Sequence, residues 1–162
     1  MSDKTQIHTA MTIAGSDSGG GAGLQADIKT FAANGVYGST VITAVTAQNT
    51  LGVHQVLDLP LDIIEAQIAA NLTDIGADVV KTGMLSSPEI IECVAENLAK
   101  YKNEKLVLDP VMVAKGGASL ITETAIEVLK ETLIPMSTIV TPNAPEAGVL
   151  TGIEVLDLDS AR

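Results

Sequence analysis

Short apolar segments alternate with segments of helical periodicity along most of the chain, and this alternation constrains the fold more than any other feature. Four segments have the length and composition of buried strands: AMTIAG, ADVVKTG, KLVLDP and STIVTPN. Amphipathic patterns such as residues 24–35 and 61–76 separate them. Strands joined through helices pair in parallel and are covered by helices on both faces. The sequence therefore predicts an α/β fold with a mostly parallel sheet and a ligand crevice at the carboxyl ends of its strands.

Two further strands and two helix starts complete the pattern. Residues 36–49 are rich in Val and Thr and form a long predicted strand, and residues 53–59 alternate apolar and polar side chains as a half-exposed edge strand does. Ser87 can cap a helix that opens with Pro88, and Thr122 can cap a later one.

The chain is strongly acidic, with nine Lys and Arg against twenty Asp and Glu and a formal net charge of -11. Charge of this sign repels nucleic-acid phosphates and anionic lipids, so we expect neither nucleic acid nor membrane as a partner. A phosphate-bearing ligand would have to be held by backbone N–H groups, helix N-termini or Mg²⁺. The single Cys93 excludes an internal disulfide, and no apolar run has transmembrane length, so we expect a cytoplasmic protein.

A glycine-rich segment follows the first predicted strand, which we expect to end at Gly15. Four glycines fall within five positions, Gly19 to Gly21 and Gly23, where they allow a backbone to approach a ligand closely at a helix N-terminus. The segment is not a Walker A loop, because no Lys-Ser or Lys-Thr follows, and Leu24 occupies the last glycine position of a dinucleotide fingerprint. A ligand loop and a purely structural turn both remain open.

Three predicted strands end in residues that could meet at one crevice. The endings KTGM and DPVM place Met84 and Val111 there, although the spacing alone favours both side chains as core filler. Asp109 is harder to accommodate, because a carboxylate after an apolar strand needs a helix N-terminus, a cation such as Mg²⁺ or another partner. Gln48 offers a donor and an acceptor that suit the edge of a heterocycle such as an aminopyrimidine, and a Gln-Asn turn explains it as well.

The segment TPNAPE combines a helix start with a candidate ligand set. Asn143 with Glu146 three positions later is close to a capping box, which alone explains both residues. Amide and carboxylate oxygens at a strand end can also hold Mg²⁺ and its waters beside a nucleotide. The spacing favours the cap and leaves the metal role open.

Five segments, taken together and in order, resemble the hydroxymethylpyrimidine/phosphomethylpyrimidine kinase family from residue 10 to residue 152: TIAGSDSGGGAGLQADIKTF, VITAVTAQNT, KTGML, VLDPVM and VTPNAPEA. The resemblance implies a ribokinase-like three-layer sandwich with a mostly parallel sheet. It also implies transfer of the γ-phosphate of ATP, with Mg²⁺, to the hydroxymethyl group or the monophosphate of an aminopyrimidine in thiamin biosynthesis.

The same resemblance assigns a substrate pocket residue by residue. Gln48 would hydrogen-bond the pyrimidine, and Gly15 would contact it through its backbone. Met84 and Val111 would line the pocket, and Asp27 would add a polar contact.

The resemblance also assigns the phosphate side of the site. Asp109, Asn143 and Glu146 would face the Mg²⁺-ATP phosphates, with Asp109 and Glu146 as the metal-binding pair. No catalytic residue is predicted in the chain, because the family carries its base on a later Gly-Thr-Gly segment. Residues 1–162 would then be the N-terminal part of a single kinase domain, truncated before the catalytic loop, and this chain alone would be inactive.

Truncation would leave a sheet edge and apolar helix faces uncovered, so we expect a homodimer. Two other functions remain open. A pyridoxine or pyridoxal kinase of the same superfamily would share the glycine-rich loop and the VTPN strand. A non-catalytic pyrimidine-binding module would keep the pocket without the chemistry.

Overall fold

The computed structural model describes residues 7–112 and 121–161. Within these residues six strands form one sheet: β1 (Thr9–Asp17), β2 (Tyr37–Asn49), β3 (Gly52–Asp58), β4 (Val79–Thr82), β5 (Leu106–Leu108) and β6 (Ile139–Val140). The helices of the same part of the chain are α1 (Gly23–Ala33), α2 (Leu61–Ala70), α3 (Pro88–Lys100), α4 (Glu123–Glu131), α5 (Leu133–Met136) and α6 (Ala144–Thr151). One π-helical turn, Asn71–Ile75, extends α2. The predicted alternation of strands and helices is confirmed.

The strands lie in the order β3-β2-β1-β4-β5-β6. Every neighbouring pair is parallel except β2 and β3, which are antiparallel. The predicted α/β class with a mostly parallel sheet is therefore confirmed. The predicted edge strand is confirmed too, because β3 is exposed over most of its length and lies at one end of the sheet.

The order of the strands places a topological switch point at β1. The chain passes from β1 to β2 on one side, whereas β4, β5 and β6 follow one another on the other side. Right-handed crossovers put α1 on one face of the sheet and α2, α3 and α4 on the opposite face. The packing agrees, because α1 contacts β1 and β2 while α3 contacts both α2 and α4. A crevice thus opens at the carboxyl ends of β1 and β4, where α/β proteins bind ligands.

Aliphatic side chains form the core between the sheet and the helices. The largest fully buried residues come from both layers: Met11, Ile13, Val41, Val80, Leu106, Leu108, Ile64, Ile68, Ile91, Val94, Leu98 and Leu133. Aromatic residues make up only 2% of the chain, so the sheet faces are filled by branched aliphatic groups that suit strands buried on both sides. In the part of the chain that the structure describes, no helix is both long enough and apolar enough to cross a membrane.

Both predicted helix caps are present. The side chain of Ser87 accepts a hydrogen bond from the backbone N–H of Ile90, and that of Thr122 accepts one from the N–H of Ala125. Each bond satisfies an N–H group that the first helical turn would otherwise leave free. Local sequence therefore sets the start of α3 and of α4.

The predicted end of the first strand is wrong. β1 does not stop at Gly15 but continues to Asp17. The pairing with β2 shifts register between Ala14 and Ser16 and then resumes, with Asp17 opposite Thr46. The strand thus stays paired beyond the irregularity, which has one extra residue on β2, and the glycine-rich loop is shorter than the sequence pattern predicts.

Candidate active site

A cavity of about 640 Å³ lies where β1, β2, β4 and β5 end and where the glycine-rich loop leads into α1. Its volume falls in the range of small-molecule sites. Six of the eight predicted site residues line it: Gly15, Asp27, Gln48, Met84, Asp109 and Val111. Asn143 and Glu146 are not among its lining residues. The structure thus gathers the five predicted substrate residues and Asp109 at one cavity, while their contacts with a ligand remain predictions.

Two glycines let the wall of this cavity close. A Cβ on Gly15 would lie 2.6 Å from Cε of Met84, so the methionine side chain occupies the space that a larger residue would fill. Gly23 has φ +56°, and a Cβ there would lie 2.4 Å from the backbone oxygen of Gly15. The start of α1 therefore packs directly on the end of β1, which only glycine permits.

The glycine-rich loop folds around the side chain of Asp17. Its carboxylate accepts hydrogen bonds from the backbone N–H groups of Gly19 at 2.8 Å, Gly21 at 2.9 Å and Ala22 at 2.8 Å. Only 5% of Asp17 is exposed. The backbone N–H groups that could have bound a ligand therefore point at the carboxylate of the protein's own Asp17. No role was predicted for Asp17, and a carboxylate just before a run of glycines was the available signal.

Asp17 is held in its ionised form. Burial raises the pKa of its carboxyl group, but the backbone N–H groups of Gly19, Ala22, Gly21 and Gly20 together lower it by more. The pKa therefore lies below its ordinary value, because these donors stabilise only the charged form. The negative charge also lies beside the N-terminus of α1, where the helix dipole favours it.

Gln48 is fixed to the glycine-rich loop through its backbone. The hydroxyl of Ser18 donates to the carbonyl oxygen of Gln48 and accepts from its N–H, both at 2.8 Å. The hydroxyl of Thr46 lies 3.3 Å from Oε1 of the Gln48 side chain. The turn interpretation of the Gln-Asn pair is confirmed, since Asn49 Oδ1 accepts from the N–H of Leu51, whereas a contact of Gln48 with a ligand stays a prediction. Gln48 thus lines the cavity from a backbone that the loop holds in place.

A group of three charged residues crosses the floor of the cavity. Nζ of Lys81 lies 3.1 Å from Oδ2 of Asp27 and 3.4 Å from Oδ2 of Asp109. The hydroxyl of Thr12 donates to the same Asp27 oxygen at 2.6 Å. Lys81 is the partner that the carboxylate at the end of β5 requires, and no role was predicted for it. A lysine inside the apolar strand VVKT was the signal that could have identified it.

Asn143 and Glu146 form the predicted capping box at the start of α6. Asn143 Oδ1 accepts from the N–H of Glu146, and Glu146 Oε2 accepts from the N–H of Asn143, each at 2.9 Å. The second oxygen of Glu146 accepts from the N–H of Met112 at 3.4 Å, and only 6% of Glu146 is exposed. Both carboxylate oxygens are therefore engaged by the backbone, and they tie the segment after β5 to α6.

The acidic residues differ in how well they suit Mg²⁺. The Asp109 side chain is 34% exposed and reaches the cavity, so it can offer an oxygen to a cation or to a cation-bound water. Across residues 7–112 and 121–161 no group of three or more His, Cys, Asp or Glu side chains is placed to hold a metal ion. Mg²⁺ commonly takes one or two carboxylates and completes its shell with phosphate oxygens and water, so Asp109 fits a shared site.

A second cavity of about 460 Å³ lies between α6 and the segment that follows it. Its lining runs over residues 144–145, 148–149 and 152–156 and is mostly apolar, with Glu154 as the one charged side chain. Small-molecule sites need a few convergent polar groups within their apolar walls. The cavity at the strand ends meets that condition and is the better candidate.

The chain matches a protein family and several relatives. The family model described as phosphomethylpyrimidine kinase matches residues 17–162. Hydroxymethylpyrimidine/phosphomethylpyrimidine kinase of Bacillus subtilis (strain 168) is 53% identical over 156 residues, which are 96% of this chain and 58% of the relative. The chain therefore spans a little over half the length of that protein.

Solved structures give the same result at the level of the fold. The crystal structure of phosphomethylpyrimidine kinase from Clostridium difficile 630 aligns with a TM-score of 0.89 and 54% identity, covering 96% of this chain and 67% of that one. Pyridoxal kinase from Staphylococcus aureus, in complex with pyridoxal, aligns with a TM-score of 0.86 and 38% identity, covering 96% and 58%. The sheet and its helices thus have the arrangement of these kinases.

Proposed function

Because the chain belongs to the phosphomethylpyrimidine kinase family, we propose that it forms the pyrimidine pocket of an ATP-dependent kinase of thiamin biosynthesis. The substrates are 4-amino-5-hydroxymethyl-2-methylpyrimidine and its monophosphate. One observation carries the proposal: the residues that the family resemblance assigns to the pyrimidine line a single cavity at the switch point of the sheet. Identity favours a pyrimidine over pyridoxal, at 54% against 38%.

The substrate side of the proposed site consists of groups that the fold already holds in place. Gln48 presents an amide, which can both donate to and accept from an aminopyrimidine edge. Met84 and Val111 supply apolar contact, and Gly15 contributes its backbone to the lining of the cavity. Asp27, oriented by Thr12 and Lys81, offers a carboxylate to a polar substituent such as the hydroxymethyl group.

The phosphate side of the proposed site begins at Asp109. Bound to this carboxylate, Mg²⁺ would neutralise charge on the transferred phosphoryl group. Asn143 and Glu146 contribute by holding α6 and the segment after β5 together, and a direct role of either in binding the nucleotide or the metal is proposed only on the family resemblance. ATP, Mg²⁺ and the substrate meet in the cytoplasm, which is the proposed location.

In this proposal the chain positions the substrate, and a later segment of the complete protein carries out proton transfer. We propose, on the family resemblance, that residues 1–162 are the N-terminal part of one kinase domain and that the base lies on a later segment. We therefore expect the complete product of the gene that encodes this chain, called here the complete gene product, to phosphorylate the pyrimidine. The 162-residue chain by itself should bind the pyrimidine without turning it over.

The substitution Gln48→Leu tests the substrate assignment. In the complete gene product, loss of the amide should raise the KM for the hydroxymethylpyrimidine by roughly tenfold or more, because a polar group of the bound ligand loses its partner. The KM for Mg²⁺-ATP should stay within about twofold of its original value, since Gln48 serves only the pyrimidine. Rates are measured by mass spectrometry of the products, with pyridoxal as a competing substrate.

Gln55→Leu is the matched control, because Gln55 lies exposed on β3 and outside the lining of the cavity. Faster turnover of pyridoxal than of the pyrimidine would refute the substrate assignment. An equal rise of KM in both variants would refute the role of Gln48.

We also propose that the protein forms a homodimer through the β2–β3 edge. Val45, Val56 and Leu57 expose 44%, 43% and 66% of their surfaces on this strand pair. An edge strand with apolar side chains is a surface that proteins commonly cover. Light scattering should give twice the monomer mass, and Leu57→Asp should halve it. A monomer at micromolar concentration without the substitution would exclude this dimer.

A further inference from the structure

We propose that Asp17 is a positioning residue whose carboxylate acts as a built-in anion, holding the glycine-rich loop in the shape that the pyrimidine pocket requires. The loop is therefore formed before any ligand binds, and it does not receive a phosphate group. This inference rests on the proposed pyrimidine kinase function for its link to the substrate, whereas the role of Asp17 in shaping the loop stands on geometry alone.

The geometry shows an anion site that is already filled. Successive backbone N–H groups directed at one point form a concave site of the kind that binds phosphate or carboxylate. Here Gly19, Gly21 and Ala22 direct theirs at the Asp17 carboxylate, at 2.8 to 2.9 Å. These are the lengths of charge-assisted hydrogen bonds, which are roughly twice as strong as neutral ones. A phosphate group could reach the same donors only by displacing Asp17.

Further bonds hold both the backbone of Asp17 and the outer side of the loop. The N–H of Asp17 donates to Oε1 of Gln25 at 2.8 Å, and its carbonyl oxygen accepts from the N–H of Gly20 at 2.9 Å. Nζ of Lys29 donates to the Gly20 oxygen at 2.6 Å. Two side chains of α1 thus anchor the loop to the helix that follows it.

The loop carries this order to the substrate side. Ser18, next to Asp17, makes both backbone hydrogen bonds to Gln48. Gly19 is packed against the same segment, since a Cβ there would lie 3.2 Å from the oxygen of Gln48 and 3.2 Å from the Asp17 carboxylate. If the carboxylate is removed, the loop loses the hydrogen bonds that hold its shape. Ser18 is then no longer held where it fixes the backbone of Gln48. Asp17 also lines the cavity, but both of its carboxylate oxygens are engaged by the loop, so it acts on the substrate through Gln48.

Chemical rescue of Asp17→Ala by formate tests the proposal in the complete gene product. The substitution removes the carboxylate and leaves three backbone donors facing a space in which formate, the same chemical group, can bind. We expect the variant to melt at a lower temperature and formate to raise its melting temperature, whereas chloride at equal ionic strength does not. Affinity for the hydroxymethylpyrimidine, measured by calorimetry, should fall about tenfold or more and recover in formate.

Asp157→Ala is the matched control. The Asp157 carboxylate also accepts from two backbone N–H groups, those of Asp159 at 3.1 Å and Ser160 at 2.9 Å, but it is exposed and lies outside the lining of the cavity. This variant should keep its pyrimidine affinity, with or without formate. A formate effect of equal size in Asp157→Ala and Asp17→Ala would overturn the proposal, because it would reflect the solvent and not a vacated site.

The remaining outcomes also decide. Unchanged pyrimidine affinity in Asp17→Ala would overturn the positioning role. If that variant folds in neither buffer, Asp17→Asn replaces it. The amide keeps the shape of the side chain but turns an N–H₂ group toward the loop donors. Full pyrimidine affinity in Asp17→Asn would overturn the proposal as well. If the unsubstituted protein binds no pyrimidine, the proposed function fails, and the formate-dependent melting temperature still tests whether Asp17 fills the loop.

Discussion

Replacing Gly23 by alanine should destabilise this protein more than the same change at a glycine that has a positive φ but no close neighbours. Gly23 and Gly35 are well matched, with φ of +56° and +70°. A Cβ on Gly35 would have nothing within 4 Å, whereas a Cβ on Gly23 would lie 2.4 Å from the oxygen of Gly15 and 3.2 Å from the N of Asp17. Comparing the two alanine variants therefore separates the loss of stability caused by the backbone conformation from the loss caused by the close approach of the new Cβ to neighbouring backbone atoms.

The magnitude follows from these distances. An alanine held at positive φ costs about 1–2 kcal/mol relative to glycine, and both variants carry that cost. Ordinary contact begins at 3.4 Å, so Gly23→Ala forces a backbone atom in a paired strand to move. Overpacking of this kind adds about 1–3 kcal/mol. We therefore expect Gly23→Ala to be less stable than Gly35→Ala by about 2 kcal/mol, or about 4–8 °C in Tm for a chain of this size.

Urea unfolding followed by far-ultraviolet circular dichroism measures this difference, because the chain has no Trp to report by fluorescence. The pyrimidine affinity of Gly23→Ala should fall as well, since Gly15 and Gly23 both line the cavity. Equal stability of the two alanine variants would show that the start of α1 moves freely away from β1. The close packing of the loop on the strand would then not be what shapes the site.

Three further changes test other parts of the site. Lys81→Met should lower the free energy of unfolding by about 1–3 kcal/mol, because Asp27 and Asp109 lose their cation. The control Lys81→Arg should keep most of the stability. An unchanged Tm in Lys81→Met would show that the ion pairs do not stabilise the fold. Asp17→Asn should be less stable than the original protein at neutral pH. The gap should close as pH falls below the ordinary carboxyl value of 3.8 toward the lower pKa of the folded state, as urea titrations at several pH values would show, because a lowered pKa stabilises only above that window. Glu146→Gln should cost about 1–2 kcal/mol in urea unfolding, because the amide has a single acceptor oxygen for two backbone donors. If stability is unchanged while the Mg²⁺ concentration for half-maximal activity rises, Glu146 serves the metal and not the cap.

Local signals in the sequence were sufficient for most of the fold. Ser87, Thr122 and the Asn143–Glu146 pair identify helix starts, since a cap acts over three residues and leaves a pattern of that length. The apolar strands could be recognised because both of their faces are buried. Gly15 was misplaced as a strand end because β1 continues only through its pairing with β2, whose partners lie about thirty residues away.

The composition of the site could be predicted, but its internal contacts could not. Strand ends in a parallel sheet converge, so the positions of Gln48, Met84 and Asp109 in the sequence were enough to place them at one crevice. Lys81 and Asp27 are 54 positions apart in the chain, and nothing in either local sequence specifies that they meet. The Asp17 carboxylate turns back on its own loop, although the glycine spacing looks the same whether the enclosed anion is external or internal.

Charge determines how this cavity can accept a phosphate group. Asp17 occupies the backbone donors of the glycine-rich loop, and Lys81 lies between Asp27 and Asp109, so these four residues together carry a net negative charge. An ATP phosphate brought near Asp109 would be repelled unless a cation accompanied it. We therefore expect the proposed kinase to need Mg²⁺ for nucleotide binding as well as for phosphoryl transfer, so that nucleotide affinity falls steeply when the metal is chelated. If ATP binds this cavity equally well with and without Mg²⁺, the phosphates do not lie beside Asp109.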